Sequence, residues 1–558
     1  MTNKELQRVE QKILYLLGHI HQTFRIDCYF YILSVLLNTP SVFLHIISSP
    51  RNGTEAVKEC SYYMALCGIA DSIIRLVRWQ KLRRLIRLIT LVSFSVFFLI
   101  DIFMILSYGC LPDKAAVSIF LDTNLKEAND FVRSFVLDLN FLRRLALFVL
   151  VLAIVYRLLY SLLWHRLFFY MLSVLMLWSL IHSWRKYPFL SSQRFWKLST
   201  EAYKELSRHA EIKQKLNAHP VIIVENNQSI PYFCFILGES HARYHLSLYG
   251  YNLTTTPLLE KRARDKELYI FDDAICPLAS TFESIKLMFT FCRYNDSKPW
   301  HSYQNIFRIL GKANYHSVWL SNQEFTSSEL SPSRLFAETC SEHHYTMIRD
   351  SVSSDFSRLD EAILPLLDRT LKIREKPLFH LIHLYGAHFQ YADRYPHSFA
   401  KFSAEDERTG LKLNMRQTQA YYDNAILYDD YIIDSIIKRY EKRDAIVLFL
   451  SDHGEEVYEN KTKLRWGHDS WARSDYMVEV PMLLWISASL KEKRPDLVQR
   501  VEQSTSRPFM TDDTIYIIMD LLGITTPEFI PSRSLIHPDF DSSRVRYGNR
   551  KPYHRRKK

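Results

Sequence analysis

The sequence predicts a two-part protein: an N-terminal α-helical membrane domain of about five transmembrane helices, then a C-terminal α/β domain with a mostly parallel central sheet. Three observations carry this. Long apolar runs crowd into the first third of the 558 residues. Beyond about residue 220, short apolar runs alternate with longer helical patterns, as in sheets covered by helices on both faces. The chain is too long for one ordinary core, and its 48% hydrophobic and 14% aromatic content excludes a disordered chain. The expected parts are 1–185 for the membrane domain, 186–220 for an interfacial linker helix, 221–540 for the soluble domain and 541–558 for a basic tail.

Five stretches have the length and apolarity of membrane spans: 28–48, 61–77, 88–108, 145–163 and 167–183. Arg78, Lys81, Arg83, Arg84 and Arg87 fill the link between the second and third. The positive-inside rule places that link, and the N-terminus with Lys4, Arg8, Lys12 and Arg25, in the cytoplasm. Five crossings then leave the C-terminal domain outside. Arg143 and Arg144 oppose this topology. No short cleavable signal is visible, so the first span reads as an uncleaved anchor. Asp101 lies at membrane depth, where an ionisable group needs a partner; Arg75, Arg143 or a headgroup are the candidates. Trp184 and Trp196, among basic neighbours, suit a membrane surface.

In the soluble domain, "PYFCFILG", "SVWLSNQ", "PLFHLIHLYG" and "AIVLFLSDHG" read as buried strands. Ligands of such sheets gather at the carboxyl ends of strands. There the sequence places Glu239, the Asp452-His453 pair, His388 and, shortly after, His468 in "RWGHDS". Carboxylates and imidazoles held at strand ends are what Zn²⁺ requires, with bonds of about 2 Å. The Asp-His pair alone also reads as a polar loop capping a helix; four such positions together favour the metal.

A nucleophile is offered by "CPLASTFESIKLMFTF", 276–291. The helical pattern after Pro277 sets Ser280 and Thr281 at a helix N-terminus, where unpaired N–H groups favour a phosphate or an alkoxide. Ser280-x-x-Glu283 is also a capping box. Both roles fit together if Ser280 caps the helix while Thr281 points at the metal.

In their order, "GESHARYHLSLYGYNLTTTPLL", "STFESIKLMFTF", "HLYGAHFQYADRYP" and "SDHGEEVYE…GH" resemble the phosphoethanolamine transferases of Gram-negative envelopes. These are membrane-anchored members of the alkaline phosphatase and sulfatase superfamily, and the resemblance spans most of 220–540. It implies an alkaline-phosphatase/sulfatase-like fold and one tight Zn²⁺ site formed by Glu239, Thr281, Asp452 and His453. It implies that Thr281 takes phosphoethanolamine from phosphatidylethanolamine, releasing diacylglycerol, and passes it from a phospho-threonine-type intermediate to lipopolysaccharide. His388 and His468 would contact the phosphoryl group or hold a second metal. Asn322 falls where the family has a polar substrate contact, and Ser280, Ser284 and Glu455 would stand behind these groups. The implied location is the bacterial inner membrane, multi-pass, with the catalytic domain in the periplasm.

The acceptor stays open. The branch conferring resistance to antimicrobial peptides such as colistin has cysteines around its threonine helix. Here Cys276 and Cys292 are spaced differently, and Leu287 stands where that branch has a cysteine. Lipid A phosphate, a core sugar or another envelope glycan all fit. Cys276 and Cys292 could form a disulfide in an oxidising compartment. A sulfatase would need C-x-P-S-R where this chain has "CPLAST". A phosphoglycerol transferase of the lipoteichoic acid synthase type and a non-catalytic envelope scaffold are the remaining alternatives. The net charge of +11 suits an anionic membrane surface, and a domain outside the cytoplasm argues against nucleic acid. Part of that charge sits in the tail, with Arg544, Arg546, Arg550, Lys551, Arg555, Arg556, Lys557 and Lys558. The tail reads as solvated and disordered, with lipid headgroup contact as the sharper reading.

Overall fold

The computed structural model describes residues 28–43, 53–108, 111–112, 131–163, 194–200, 209–218, 220–227, 230–325, 332–348, 359–372, 377–407, 410–460, 464–468 and 474–555. They divide into two units, Met1–Glu205 and Leu206–Lys558.

The first unit contains helices α1 (Cys28–Leu36), α2 (Gly53–Arg75), α3 (Gln80–Tyr108) and α4 (Leu139–Leu163). The expected spans 61–77, 88–108 and 145–163 fall largely on α2, α3 and α4. α1 covers only the first part of 28–48, and 167–183 lies outside the described residues. Among the described residues one helix, Gln80–Leu106, is long and apolar enough to cross a membrane. Leu85, Leu88, Val92, Val96 and Leu99 recur along it every three or four residues and stay exposed. Such a stripe is out of place in water and suits lipid. Phe94, Phe98 and Ile102 turn inward onto Tyr31, Tyr63 and Phe148.

α2 is more polar, and its charges are met within the unit. Asp71 accepts from Arg75 at 2.8 Å and from Arg87 of α3 at 2.7 Å, and Tyr63 donates to Glu59 at 2.7 Å. Asp101 pairs with Arg194, at 2.5 Å, rather than with Arg75 or Arg143.

The second unit is built on a seven-stranded sheet. In chain order the strands are β1 (Tyr232–Gly238), β2 (Leu268–Phe271), β3 (His316–Phe325), β4 (Glu342–Ile348), β5 (Leu378–His383), β6 (Ala445–Ser451) and β7 (Met482–Ile486). They lie in the order β2-β7-β6-β1-β5-β3-β4. The sheet is mixed: β7 runs antiparallel to both neighbours, and every other pairing is parallel.

β1, β5 and β6 are apolar throughout because both faces are covered. On one face Phe233, Phe235 and Leu237 pack with Ile285, Met288 and Phe289, in or next to α6 (Thr281–Met288). On the other, Cys234 and Ile236 pack with Ile432, Ile433 and Ile436 of α7 (Leu413–Tyr440).

Part of the linker belongs to this unit. The helix α5 (His209–Ala218) buries Ile212 and Leu216 against Leu335, and Arg308 donates to the Leu216 carbonyl at 2.8 Å. The basic tail differs from its expectation. Arg546 makes a two-pronged pair with Asp273, both contacts 2.8 Å. Arg544 pairs with Asp512 and Asp513, and Tyr553 donates to Glu479 at 2.7 Å. Residues 547–552 form a short hairpin. Charge counting missed this because it cannot show that buried aspartates await the arginines.

Candidate active site

Strand register assembles the site. β1 and β6 are parallel neighbours with Gly238 opposite Ser451, so the next residues, Glu239 and Asp452, leave the sheet side by side. β5 flanks β1 on the other side, with His383 opposite Leu237, and carries the chain into the loop holding His388. Asp360 fixes that loop by accepting from the backbone N–H groups of Tyr385 and Gly386, both at 2.8 Å. Gly386 has φ of +56°, and a Cβ there would lie 2.6 Å from the Glu239 carbonyl oxygen. Only glycine allows this crossing.

Thr281 is the first residue of α6. Its Oγ1 lies 3.1 Å from Glu239 Oε2 and 3.3 Å from His453 Nε2. His453 Nε2 lies 3.3 Å from Glu239 Oε1 and 3.1 Å from Asp452 Oδ2. Four donor atoms on bonds of about 2 Å in a tetrahedron stand roughly 3.3 Å apart, so these separations fit a shared Zn²⁺. Two further observations agree. Asp452 Oδ2 is buried without a hydrogen bond, and among the described residues no lysine or arginine is ion-paired with Glu239 or Asp452. Ligand atoms of Glu239, His453 and His468 also lie within 4.8 Å of one another.

The electrostatics show two acids competing for one place. Burial raises the Asp452 carboxyl, and the neighbouring Glu239 charge adds to this, bringing it to about 7. Burial also opposes the Glu239 charge, but the hydrogen bond and charge of His453 outweigh it and hold the carboxyl below its usual range. Burial disfavours a charged His453, yet Asp452 and Glu239 together lift it to about 10. A divalent cation relieves the same conflict without that proton.

His468 and His388 adjoin the cluster. The His468 ring lies 3.9 Å from that of His453 and 5.9 Å from that of His388, centroid to centroid. Burial keeps both imidazoles neutral at pH 7, His388 falling to about 3 and His468 well below the usual value. His468 Nδ1 lies 2.7 Å from Glu455 Oε2, while Tyr391 donates to the other Glu455 oxygen. Burial lifts Glu455 to about 8 despite the Tyr391 bond, so a proton is held between Glu455 and His468 at neutral pH.

Other expected residues stand elsewhere. Asn322 is fully buried, donates to Asp360 at 2.7 Å and accepts from Thr346. It braces the His388 loop through Asp360 and does not line the Thr281 cluster. Ser280 occupies the N-cap position in an extended conformation, but its side chain makes no capping bond. Glu283 turns to Lys286 at 3.0 Å, so the capping box does not form. Ser284 Oγ donates to the Leu278 carbonyl at 3.2 Å, steadying the loop before Thr281. Cys276 and Cys292 are free thiols.

Ser240 and Tyr422 were not foreseen. Ser240 takes a left-handed φ of +61°, donates its N–H to Asp452 Oδ1 at 3.2 Å and its hydroxyl to Glu239 at 3.0 Å. Tyr422, on α7, donates to the Ser240 carbonyl at 2.7 Å and accepts from Ala242 N–H at 2.8 Å. Adjacency to Glu239 was the one available signal for Ser240. A tyrosine within a long helix gave none.

With this geometry established, comparison with known proteins gives a family. The Sulfatase family model matches residues 231–524, more than half of the chain. The chain belongs to the sulfatase family. Phosphoethanolamine transferase EptC of Escherichia coli O18:K1:H7 (strain RS218 / NMEC) is 25% identical over 482 residues, covering 80% of this chain and 81% of the relative. The C-terminal periplasmic domain of EcEptC from Escherichia coli, in complex with Zn, superposes with a TM-score of 0.56 at 25% identity, over 60% of this chain and 95% of that one. The integral membrane lipooligosaccharide phosphoethanolamine transferase A of Neisseria meningitidis superposes with a TM-score of 0.62 at 18% identity, over 91% and 98%. This last likeness speaks for the fold alone.

Proposed function

We propose that this sulfatase-family protein transfers phosphoethanolamine from phosphatidylethanolamine to lipopolysaccharide or another envelope glycan, with Thr281 as the nucleophile. The observation that carries the reading is the Thr281 hydroxyl at a helix N-terminus, 3.1 Å from Glu239 and 3.3 Å from His453, in a chain similar to a phosphoethanolamine transferase. A multi-pass inner-membrane protein with its second unit in the periplasm fits a lipid donor and a lipid-anchored acceptor. The apolar helix Gln80–Leu106 supports that location.

Glu239, Thr281, Asp452 and His453 would hold Zn²⁺, which when bound acidifies a hydroxyl and offsets charge on a phosphoryl group. In the first step Thr281 Oγ1 bonds to the donor phosphorus and the bond to the diacylglycerol oxygen breaks. The Thr281 proton leaves to solvent, and the leaving oxygen takes the proton held by the Glu455–His468 pair, delivered through the imidazole. The unpaired N–H groups at the start of α6 favour the phosphoryl oxygens. In the second step an acceptor oxygen displaces Thr281 from phosphorus, and the threonine hydroxyl is restored.

The test uses fluorescent phosphatidylethanolamine and full-length protein in a lipid environment. Wild type is expected to release diacylglycerol and to gain one phosphoethanolamine by intact mass. Thr281→Ala should show no adduct and release at least roughly a thousandfold slower. Undiminished release by Thr281→Ala would leave Thr281 as a helix-start residue only.

A further inference from the structure

A pocket of about 510 Å³ opens in the second unit, lined by none of the residues around Thr281. Its size lies within the range of about 300–1,000 Å³ usual for small-ligand sites. One wall is the segment after α6, from Arg293 to Asp296, and another is the C-terminal segment from Asp541 to Tyr547. Arg533 and Met510 also line it.

The chemistry of the lining selects the class of ligand. Arg533 and Arg544 are neutralised by Asp512 and Asp513, and Asp296 and Asp541 stand in the walls. Arg293 makes no ion pair among the described residues, while the other two lining arginines are paired and two carboxylates, Asp296 and Asp541, share the lining. One unpaired arginine beside two lining carboxylates is a poor match to a phosphate, which calls for clustered free guanidinium groups. It has an aromatic wall instead: the half-buried rings of Tyr294 and Tyr547 lie 5.4 Å apart and 39° inclined. Aromatic faces beside planar guanidinium, amide and carboxylate groups complement a sugar ring. The C–H face of the sugar packs on the aromatic ring, and its hydroxyls both donate to and accept from the planar groups.

The pocket is also tied to the nucleophile. Two residues beyond Tyr547, Asn549 N–H donates to the Pro277 carbonyl at 2.9 Å and Asn549 Oδ1 accepts from Ala279 N–H at 3.1 Å, in the loop leading to Thr281. α6, eight residues and so about 12 Å long, runs from Thr281 toward the segment that forms the other wall.

We propose that this pocket binds an uncharged saccharide unit of the glycan acceptor, away from the group that receives phosphoethanolamine. The proposal rests on transfer to a glycan being the reaction of the Thr281 site. Full-length protein in nanodiscs tests it with two readouts. Saturation-transfer NMR with dephosphorylated core oligosaccharide, and with inorganic phosphate as competitor, reports binding. Steady-state transfer to lipopolysaccharide, beside diacylglycerol release without acceptor, reports chemistry.

Tyr547→Ala and Asn295→Ala, the latter at an exposed side chain, should lose the oligosaccharide signal and raise KM for lipopolysaccharide about tenfold. Their kcat, diacylglycerol release and melting temperature should match wild type, and Tyr547→Phe, which keeps the ring, should restore binding. An unchanged KM and signal in both alanine variants would overturn the proposal, as would displacement of the oligosaccharide by inorganic phosphate. Normal transfer with no oligosaccharide binding overturns the pocket and spares the reaction. Binding that depends on Tyr547 in a protein that releases no diacylglycerol would uphold a saccharide site and remove the reaction.

Discussion

Glu239 and Asp452 illustrate what a single position can and cannot reveal. Each was legible as a candidate ligand only in company: alone an acid after a strand reads equally well as a loop residue, but several acids and imidazoles at strand ends point to a metal. Their closeness was not legible, since it depends on which strands are neighbours. Ser240 escaped notice because its role lies in its left-handed backbone, where the N–H reaches Asp452. Gly386 is of the same kind, and it supports a prediction. Gly386→Ala adds a Cβ at a positive φ, 2.6 Å from the Glu239 carbonyl, and should displace Glu239. Diacylglycerol release should fall at least about tenfold, with the melting temperature lowered as well; wild-type rates in this variant would show that the crossing tolerates the methyl group.

At the scale of elements, β1, β5 and β6 were readable because their apolar runs are continuous, as burial on both faces demands. The antiparallel β7 was not among the strands read from the sequence, and its direction had no signal, because "MLLWI" is as apolar as the parallel strands. The first unit was readable where α3 carries few charges, and less so in α2, whose acids find partners that no hydropathy window sees. The C-terminal segment was misread for a similar reason. Arg546 and Asp273 are both largely buried and doubly bonded, and removing one partner of such a pair costs about 3 kcal/mol or more. Arg546→Ala should therefore lower the denaturant midpoint of the second unit substantially, whereas a solvated tail would leave it unchanged.

For the molecule as a whole, two solution variables should act on stability. Chelation of Zn²⁺ is expected to lower the melting temperature, and re-addition to restore it; a metal at a hundredfold its dissociation constant contributes about 2.7 kcal/mol. Glu239→Gln should respond little to chelator. The second variable is pH, acting through His245, which joins the turn after β1 to α7 and to the loop at Glu459. Its Nδ1 lies 2.6 Å from Asp423 and its Nε2 2.6 Å from Glu459. Burial disfavours the cation, but Asp423 and then Glu459 outweigh this and raise it to about 10. A raised pKa means stability that is complete below the unfolded value near 6.5 and lost as pH climbs toward 10. Unfolding free energy should decline by about 1.4 kcal/mol per pH unit across that window from this group, and His245→Gln should flatten the slope while lowering stability at pH 7.

The pairing of Glu239 with Asp452 also has a consequence in time. More than two hundred residues separate these neighbours along the chain, and Asn549, which braces the loop before Thr281, follows almost a hundred residues after Asp452. A growing chain that has not reached Asp452 cannot hold the assembled cluster. Chemistry at Thr281 is therefore barred until synthesis has passed the strand that carries Asp452 and His453.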